Sequence, residues 1–283
     1  MARVVSWNVR GMNYPNKQED LKILLQQHNA GLVGFLETKV KEQHIAQVIK
    51  KVCPRWQWTH NATADEKGRI VVCWHPKEYM FKQLKVIDQM IHGEAIQIST
   101  KIKFFITFVY GRNLMDQRCL LWEDINSLAI LDDPWCMMGD FNAVLHPGER
   151  IGGVEVSDLE TKDFAECVYS CSLQEFQYEG AFFTWTNKKV WSKIDRAFHN
   201  NLWYEVFSYT HVKLVPQSLS DHTPILVGFP SLPKPKSTFQ FCEMWLKDRE
   251  FNGIVIHPLE MTQEGSHLKR LQKVLYGLRG PLM

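Results

Sequence analysis

The chain has 283 residues, 45% of them hydrophobic and 23% charged, with a formal net charge of +2. This balance excludes a disordered polyelectrolyte, and the length lets a core form without disulfides or structural metal. Near-neutral charge leaves nucleic acid open as a partner, through a local basic surface rather than a global one.

In chain order, strand-like runs rich in β-branched and aromatic residues dominate. They fall at 4–9, 32–36, 70–74, 95–99, 104–109, 135–138, 182–186, 192–198 and 225–229. Amphipathic helices lie between some of them. Leu21, Leu24, Leu25 and His28 recur at helical spacing, as do Leu121, Ile125 and Leu128. Asn16 and Ser157 are the expected N-caps of the first and third helices. Helices do not follow every strand, so a doubly wound sheet fits poorly. Hairpin pairs such as 95–99 with 102–109 imply antiparallel content. The expected class is therefore α/β, with two mixed, largely antiparallel sheets packed face to face and helices outside.

A strand from residue 3 predicts no secretory leader ahead of it. The most apolar run, 102–110, carries Lys103 and is far too short to cross a bilayer. Seven cysteines, an odd number without a CxxC pair, suit a reducing intracellular compartment. Cys167 and Cys171 share an apolar helix face with Phe164 and Val168, which predicts a core role. Near residue 230 the texture changes. Pro230, Pro233 and Pro235 alternate with Lys234, Lys236 and Ser237, as in an extended linker. The expected division is a domain at 1–229 and a partly helical extension at 230–283.

Four short strings set polar groups at the ends of apolar runs: SWN at 6–8, LET at 36–38, GDFN at 139–142 and SDH at 220–222, with KID at 193–195 between the last two. Turn chemistry explains each alone. It does not predict the set or its order. Together they suit hydrolysis of a phosphodiester, which needs a cation on the phosphate, a group to place water, and donors for developing charge. Magnesium takes oxygen ligands and few carboxylates. Glu37 is the leading ligand candidate, with Asn8 as a neutral oxygen or donor. Asp140 is the candidate base, and Asn142, two residues on, is expected on the same side of an extended segment. His222 is placed to donate to a phosphate oxygen, with Asp195 as the carboxylate that orients its other nitrogen.

At SWNVRG (6–11), FLETK (35–39), VYGRN (109–113), GDFN (139–142), FTWTN (183–187), SKIDR (192–196) and SDHTP (220–224), the chain resembles the endonuclease/exonuclease/phosphatase superfamily, the DNase I-like enzymes. Within it, the chain is most similar to the endonuclease domain of plant LINE-type non-LTR retrotransposons. The resemblance runs from residue 3 to about 229 and, more weakly, through 239–245. It implies a four-layer α/β sandwich and a Mg²⁺-dependent enzyme, with Mn²⁺ as a possible substitute. The implied reaction is in-line water attack that nicks DNA and leaves a 3′-hydroxyl. The alternatives are another phosphoesterase of the same fold, either a phosphatase or a lipid phosphodiesterase, and a non-catalytic nucleic-acid-binding remnant. By position it implies that Tyr110 and Asn113 lie on the phosphate side, that Asp221 is a metal-region carboxylate and that Thr184 is near the phosphate. It also implies a nuclear location and a monomer that acts on DNA without a membrane or an obligate protein partner.

Two features depart from, or add to, that pattern. Abasic-site repair enzymes carry an acid two residues after the first Asn, where this chain has Arg10. If the strand continues, Arg10 shares a face with Asn8 and contacts phosphate. The loop 187–191 carries Lys188, Lys189 and Trp191, which suit a hairpin reaching a DNA groove. No polymerase signature is evident, so the sequence suggests a truncated or stand-alone endonuclease unit.

Overall fold

The computed structural model describes residues 2–62, 69–129, 132–207 and 209–229. The strands are β1 (Arg3–Asn8), β2 (Ala30–Leu36), β3 (Gln57–His60), β4 (Ile70–Trp74), β5 (Tyr79–Val86), β6 (Met90–Gln97), β7 (Lys103–Tyr110) and β8 (Trp135–Asp140). They continue as β9 (Arg150–Ile151), β10 (Gln174–Glu175), β11 (Tyr178–Glu179), β12 (Trp185–Thr186), β13 (Trp191–Ser192), β14 (Asp195–His199), β15 (His211–Leu214) and β16 (Ile225–Gly228). The helices are α1 (Pro15–Gln27), α2 (Glu42–Val52), α3 (Cys119–Asn126), α4 (Asp158–Ser170) and the short α5 (Trp203–Val206).

One large sheet has the order β11-β15-β16-β1-β2-β4-β3, the other β10-β14-β8-β7-β6-β5, and β12-β13-β9 form a small third sheet. Side chains alternate along β1 between two cores, as the strand period requires. Val4 faces the layer between the large sheets, with Leu32, Ile106, Phe108 and Met138. Val5 and Trp7 face α1 and α2, against Leu21, Leu25, Ile45 and Ile49. On the other outer face, Phe105, Val109 and Met137 pack on Leu121, Trp122, Phe164 and Cys167 of α3 and α4. The layering is helix, sheet, sheet, helix. Gly34 keeps the sheets close, because a Cβ there would lie 2.1 Å from the Phe108 ring.

Two parallel pairs position the site. β1 pairs with β2 in parallel, and β7 with β8. Each pair brings two carboxyl ends to one edge: Asn8 beside Leu36 and Glu37, and Tyr110 opposite Asp140. β14 runs antiparallel to β8, so its first residue, Asp195, stands opposite Asp140.

Several sequence expectations change. Residues 182–186 pair as strand only at Trp185–Thr186, and Phe182 is exposed. The expected strand 192–198 breaks at Lys193–Ile194, where the Thr184 hydroxyl takes the backbone N–H groups of Ile194 and Asp195. β3, β5 and β15 were not predicted. Their polar residues, such as Lys82, Gln83 and Lys85 on the edge strand β5, weaken the apolar signal. Tyr14, not Asn16, is the N-cap of α1, because Pro15 occupies the first helical position. Ser157 caps α4 as expected, accepting from Glu160 N–H. Cys167 and Cys171 are buried in the α3–α4 core. The linker, the 239–245 segment and the extension at 230–283 lie outside the described residues.

Candidate active site

Three buried groups from distant parts of the chain meet at this edge. His222 Nδ1 lies 3.0 and 3.1 Å from the two oxygens of Asp195, and 3.7 Å from Asp140 Oδ2. Exposure is 0% for Asp140, 3% for Asp195 and 2% for His222. Burial opposes charge on the imidazole, but the Asp195 and Asp140 carboxylates outweigh it and push His222 up to about 9. Burial pushes Asp140 up to about 7. Asp195 adds to that rise, while His222 and Asn8 oppose it. The ligand atoms of the three side chains lie within 4.8 Å of one another, so they also have the donor types of a metal cluster. Both Asp195 oxygens approach Nδ1, which suits the orienting contact of an acid–base pair.

Backbone contacts hold this arrangement. Trp7 Nε1 donates to the His222 carbonyl at 3.0 Å, and Ser220 Oγ donates to the Asn8 carbonyl at 2.8 Å. Thr223 N–H donates to the Thr184 carbonyl at 2.8 Å. The SDH segment is thereby fixed to β1 and to the segment leading into β12.

Asn8 Nδ2 donates to Asp140 Oδ2 at 2.8 Å, and its Oδ1 accepts the Arg10 N–H at 3.0 Å. Asn142 reaches Asp140 through a turn and not along an extended strand. β8 ends at Asp140, Asn142 takes a left-handed φ of 48°, and its N–H donates to Asp140 Oδ1 at 2.9 Å. Asn142 Nδ2 donates to the Gly111 carbonyl at 2.8 Å, which joins the GDFN turn to the VYGRN segment. Arg10, Glu37 and Lys39 share similar φ values of 50–55°. Non-glycine residues in this region cluster where a scaffold over-determines a site.

Glu37 is buried, yet two cations converge on it: Lys39 Nζ at 2.8 Å and Arg10 Nε at 3.6 Å. Glu37, which follows β2, and Asn8, which ends the neighbouring β1, are hard oxygen donors, and an ion bound at Glu37 would take the place of Lys39 Nζ. Glu37 and Asn8 therefore fit a divalent cation of the Mg²⁺ type.

The cleft has a volume of about 450 Å³, and Glu37, Tyr110, Asn113, Asp140, Asn142 and His222 are among the residues that line it. Tyr110 is buried. Desolvation, with Glu37 and Asp140 nearby, pushes its phenol up, so it stays a protonated donor. Arg10, Arg118 and Arg150 also line it; Arg10 pairs with Asp221, Arg150 with Glu160 at 2.6 Å, and Arg118 donates to the Arg112 and Asn113 carbonyls.

Three assignments gain a structural setting. β1 ends at Asn8, so Arg10 does not follow the strand face. It forms a bidentate pair with Asp221, Nε to Oδ1 and Nη2 to Oδ2, both at 3.0 Å. Asp221 is correspondingly held by Arg10 and by Trp185 Nε1 at 2.9 Å. Burial raises its pKa, but His222 and Arg10 more than offset this and hold it below the usual range. Thr184 is fully buried and does not line the cleft. Its hydroxyl accepts the N–H groups of Ile194 and Asp195 at 3.0 and 2.9 Å, so it positions Asp195. Lys188, Lys189 and Trp191 lie on the β12–β13 hairpin, exposed and outside the cleft lining. Asn187 Oδ1 accepts the Lys189 and Val190 N–H groups and fixes the turn. Trp185, Arg118, Arg150 and Glu160 line the cleft without having been singled out from the sequence. Trp185 lay within FTWTN, but nothing in its neighbours pointed to Asp221.

A model of the Endonuclease/Exonuclease/phosphatase family matches residues 5–222. The chain belongs to that family. Its membership implies a phosphoester hydrolase with the DNase I-like sandwich. No curated protein sequence matches significantly. Among solved structures, the chain is similar to the endonuclease domain of TRAS1, a telomere-specific non-LTR retrotransposon. Identity is 13% and the TM-score 0.60, covering 82% of this chain and 100% of that one. A 3′ phosphatase from Neisseria bound to product DNA hairpin gives 17% identity, TM-score 0.60 and the same coverage. A mannosyl-6-phosphatase from Bacteroides thetaiotaomicron gives 14%, TM-score 0.55, and 81% and 99% coverage. These similarities carry the family's fold. They span nucleases and phosphatases alike.

Proposed function

We propose that this chain is a divalent-metal-dependent DNA endonuclease of the kind carried by plant LINE-type retrotransposons, nicking one strand to leave a 3′-hydroxyl. The observation that carries the reading is the buried His222–Asp195–Asp140 cluster opening into a cleft walled by Arg10, Arg118 and Arg150. An acid–base centre at a cleft that also carries guanidinium groups is what phosphodiester hydrolysis needs. Similarity to the TRAS1 endonuclease domain supports a nucleic-acid substrate.

Glu37 and Asn8 would hold Mg²⁺, which supplies charge neutralisation at the phosphate when bound. Asp140 orients a water and takes its proton, with its carboxylate fixed by Asn8 and Asn142. The His222 imidazolium, oriented by Asp195, donates to a phosphate oxygen as charge develops. Tyr110 and Asn113 bind the phosphate from the β7 side.

The test is incubation of purified chain with supercoiled plasmid and Mg²⁺. Conversion to the nicked circle, arrest by EDTA, and extension of the nick by a DNA polymerase without end repair are expected. Undiminished nicking in EDTA contradicts the reading. So does intact plasmid alongside rapid hydrolysis of a small phosphomonoester, which would assign the chain to the phosphatases.

A further inference from the structure

We infer that Arg10 is a fixed internal cation lying between Glu37 and Asp221, so that the cleft takes one divalent ion, at Glu37, and Asp221 is not a ligand. This rests on the metal-dependent reading above and specifies its stoichiometry.

The first support is the engagement of both Asp221 oxygens. Asp221 Oδ1 accepts from Arg10 Nε at 3.0 Å. Its Oδ2 accepts from Arg10 Nη2 at 3.0 Å and Trp185 Nε1 at 2.9 Å. Three protein donors hold the carboxylate, two of them from one guanidinium. Binding a metal there would require breaking the bidentate pair, the strongest geometry an arginine makes with a carboxylate.

The second support is where the guanidinium sits. Arg10 Nε lies 3.6 Å from Glu37 Oε2 while it pairs with Asp221. One cation therefore bridges two carboxylates that could otherwise share a second metal. The guanidinium cannot lose its proton in a protein, so it opposes another cation at that point under all working conditions.

The third support is that both partners are held in place. Arg10 N–H donates to Asn8 Oδ1, and the left-handed φ of 50° turns the chain off the strand path. The Asp221 carbonyl accepts from Thr186 N–H at 3.3 Å and Gln217 Nε2 at 2.8 Å. The contacts to Asp221 and Glu37 use Nε and Nη2. They leave Nη1 of this cleft-lining, 40% exposed side chain for a substrate phosphate oxygen. Arg10 thus supplies both the charge of a second ion and a directional donor, without a metal.

The experiment is Mn²⁺ titration of the full chain, followed by calorimetry and by the electron paramagnetic resonance signal of free Mn²⁺. Wild type is expected to bind one Mn²⁺ per chain. Glu37→Gln is expected to lose it, and Arg10→Asp to bind two. Asp221→Asn, nearly isosteric and adding no charge, is expected to retain one. Two ions on wild type, one ion on a folded Arg10→Asp chain, or loss of binding in Asp221→Asn overturns the assignment. The Asp221 arm decides the question if Arg10→Asp does not fold. Wild type that binds no Mn²⁺ and nicks in EDTA overturns the metal-dependent reading itself, and this inference with it.

Discussion

Asp195 stands directly opposite Asp140 across the antiparallel β8–β14 pair, and both carboxylates are buried. Like charges opposed on neighbouring strands destabilise a sheet. The His222 imidazole resolves the conflict, with Nδ1 3.0 Å from Asp195 and 3.7 Å from Asp140. The residue that relieves the repulsion through Nδ1 is also the donor proposed for the phosphate through Nε2, so stability and chemistry share one imidazolium.

The charge of that imidazolium gives a pH dependence of folding. In the native chain His222 is raised from 6.5 to about 9, and Asp140 from 3.8 to about 7. Both hold protons that the unfolded chain releases, so this cluster's contribution falls as pH rises. The His222 part is complete below about 6.5 and lost as pH passes through 9. Denaturant midpoints without added metal are expected to drop across that window in wild type, and His222→Gln should flatten the drop. An equally steep drop in His222→Gln would assign the dependence to other groups.

Glu37→Gln, Asp140→Asn and His222→Gln are each expected to slow plasmid nicking by about 10²-fold or more, the scale for removing one acid–base or charge-stabilising group. Rates are to be compared at saturating Mg²⁺ on chains with unchanged far-ultraviolet circular dichroism. Wild-type rates in all three variants would remove these residues from the chemistry.

Thr184→Val strips two buried N–H groups of their acceptor and is expected to cost about 1–3 kcal/mol of stability. Because one of those groups belongs to Asp195, kcat should fall while KM for DNA stays nearly constant. Thr184→Ser keeps the acceptor and should restore kcat. A rise in KM without a fall in kcat would instead return Thr184 to direct phosphate contact.

The double variant Lys188→Ser/Lys189→Ser keeps Asn187, whose side chain fixes the turn. It is expected to lower the salt dependence of DNA binding by up to about two phosphate contacts, and to redistribute nick positions along an end-labelled fragment. An unchanged salt slope and cleavage ladder would mark the hairpin tip as ordinary solvated surface.

How much of this was legible beforehand differs by residue. Asn8, Glu37 and Asp140 were legible because each ends an apolar run, and the ends of parallel neighbours fall at one edge of a sheet. The His222–Asp195 pair was legible from the need of an imidazole for an orienting carboxylate. Arg10 was misread because nothing in SWNVRG announces that the strand stops at Asn8, and a left-handed residue reverses a side-chain direction inferred from period two.

The layered α/β architecture and the polar strand-end residues Asn8, Glu37 and Asp140 are readable from the chain alone. Apolar periodicity is a local property, and a few polar residues at strand ends survive any folding that keeps the strands. Which side chains pair is set by the three-dimensional packing. Asp221 meets Arg10 across 211 residues. Trp7 reaches the His222 carbonyl across 215. Thr184 turns out to be a buried acceptor for the Asp195 N–H. Such contacts depend on loop paths between sheets, where hydrogen-bond satisfaction selects partners from anywhere in the chain. No local pattern encodes that choice.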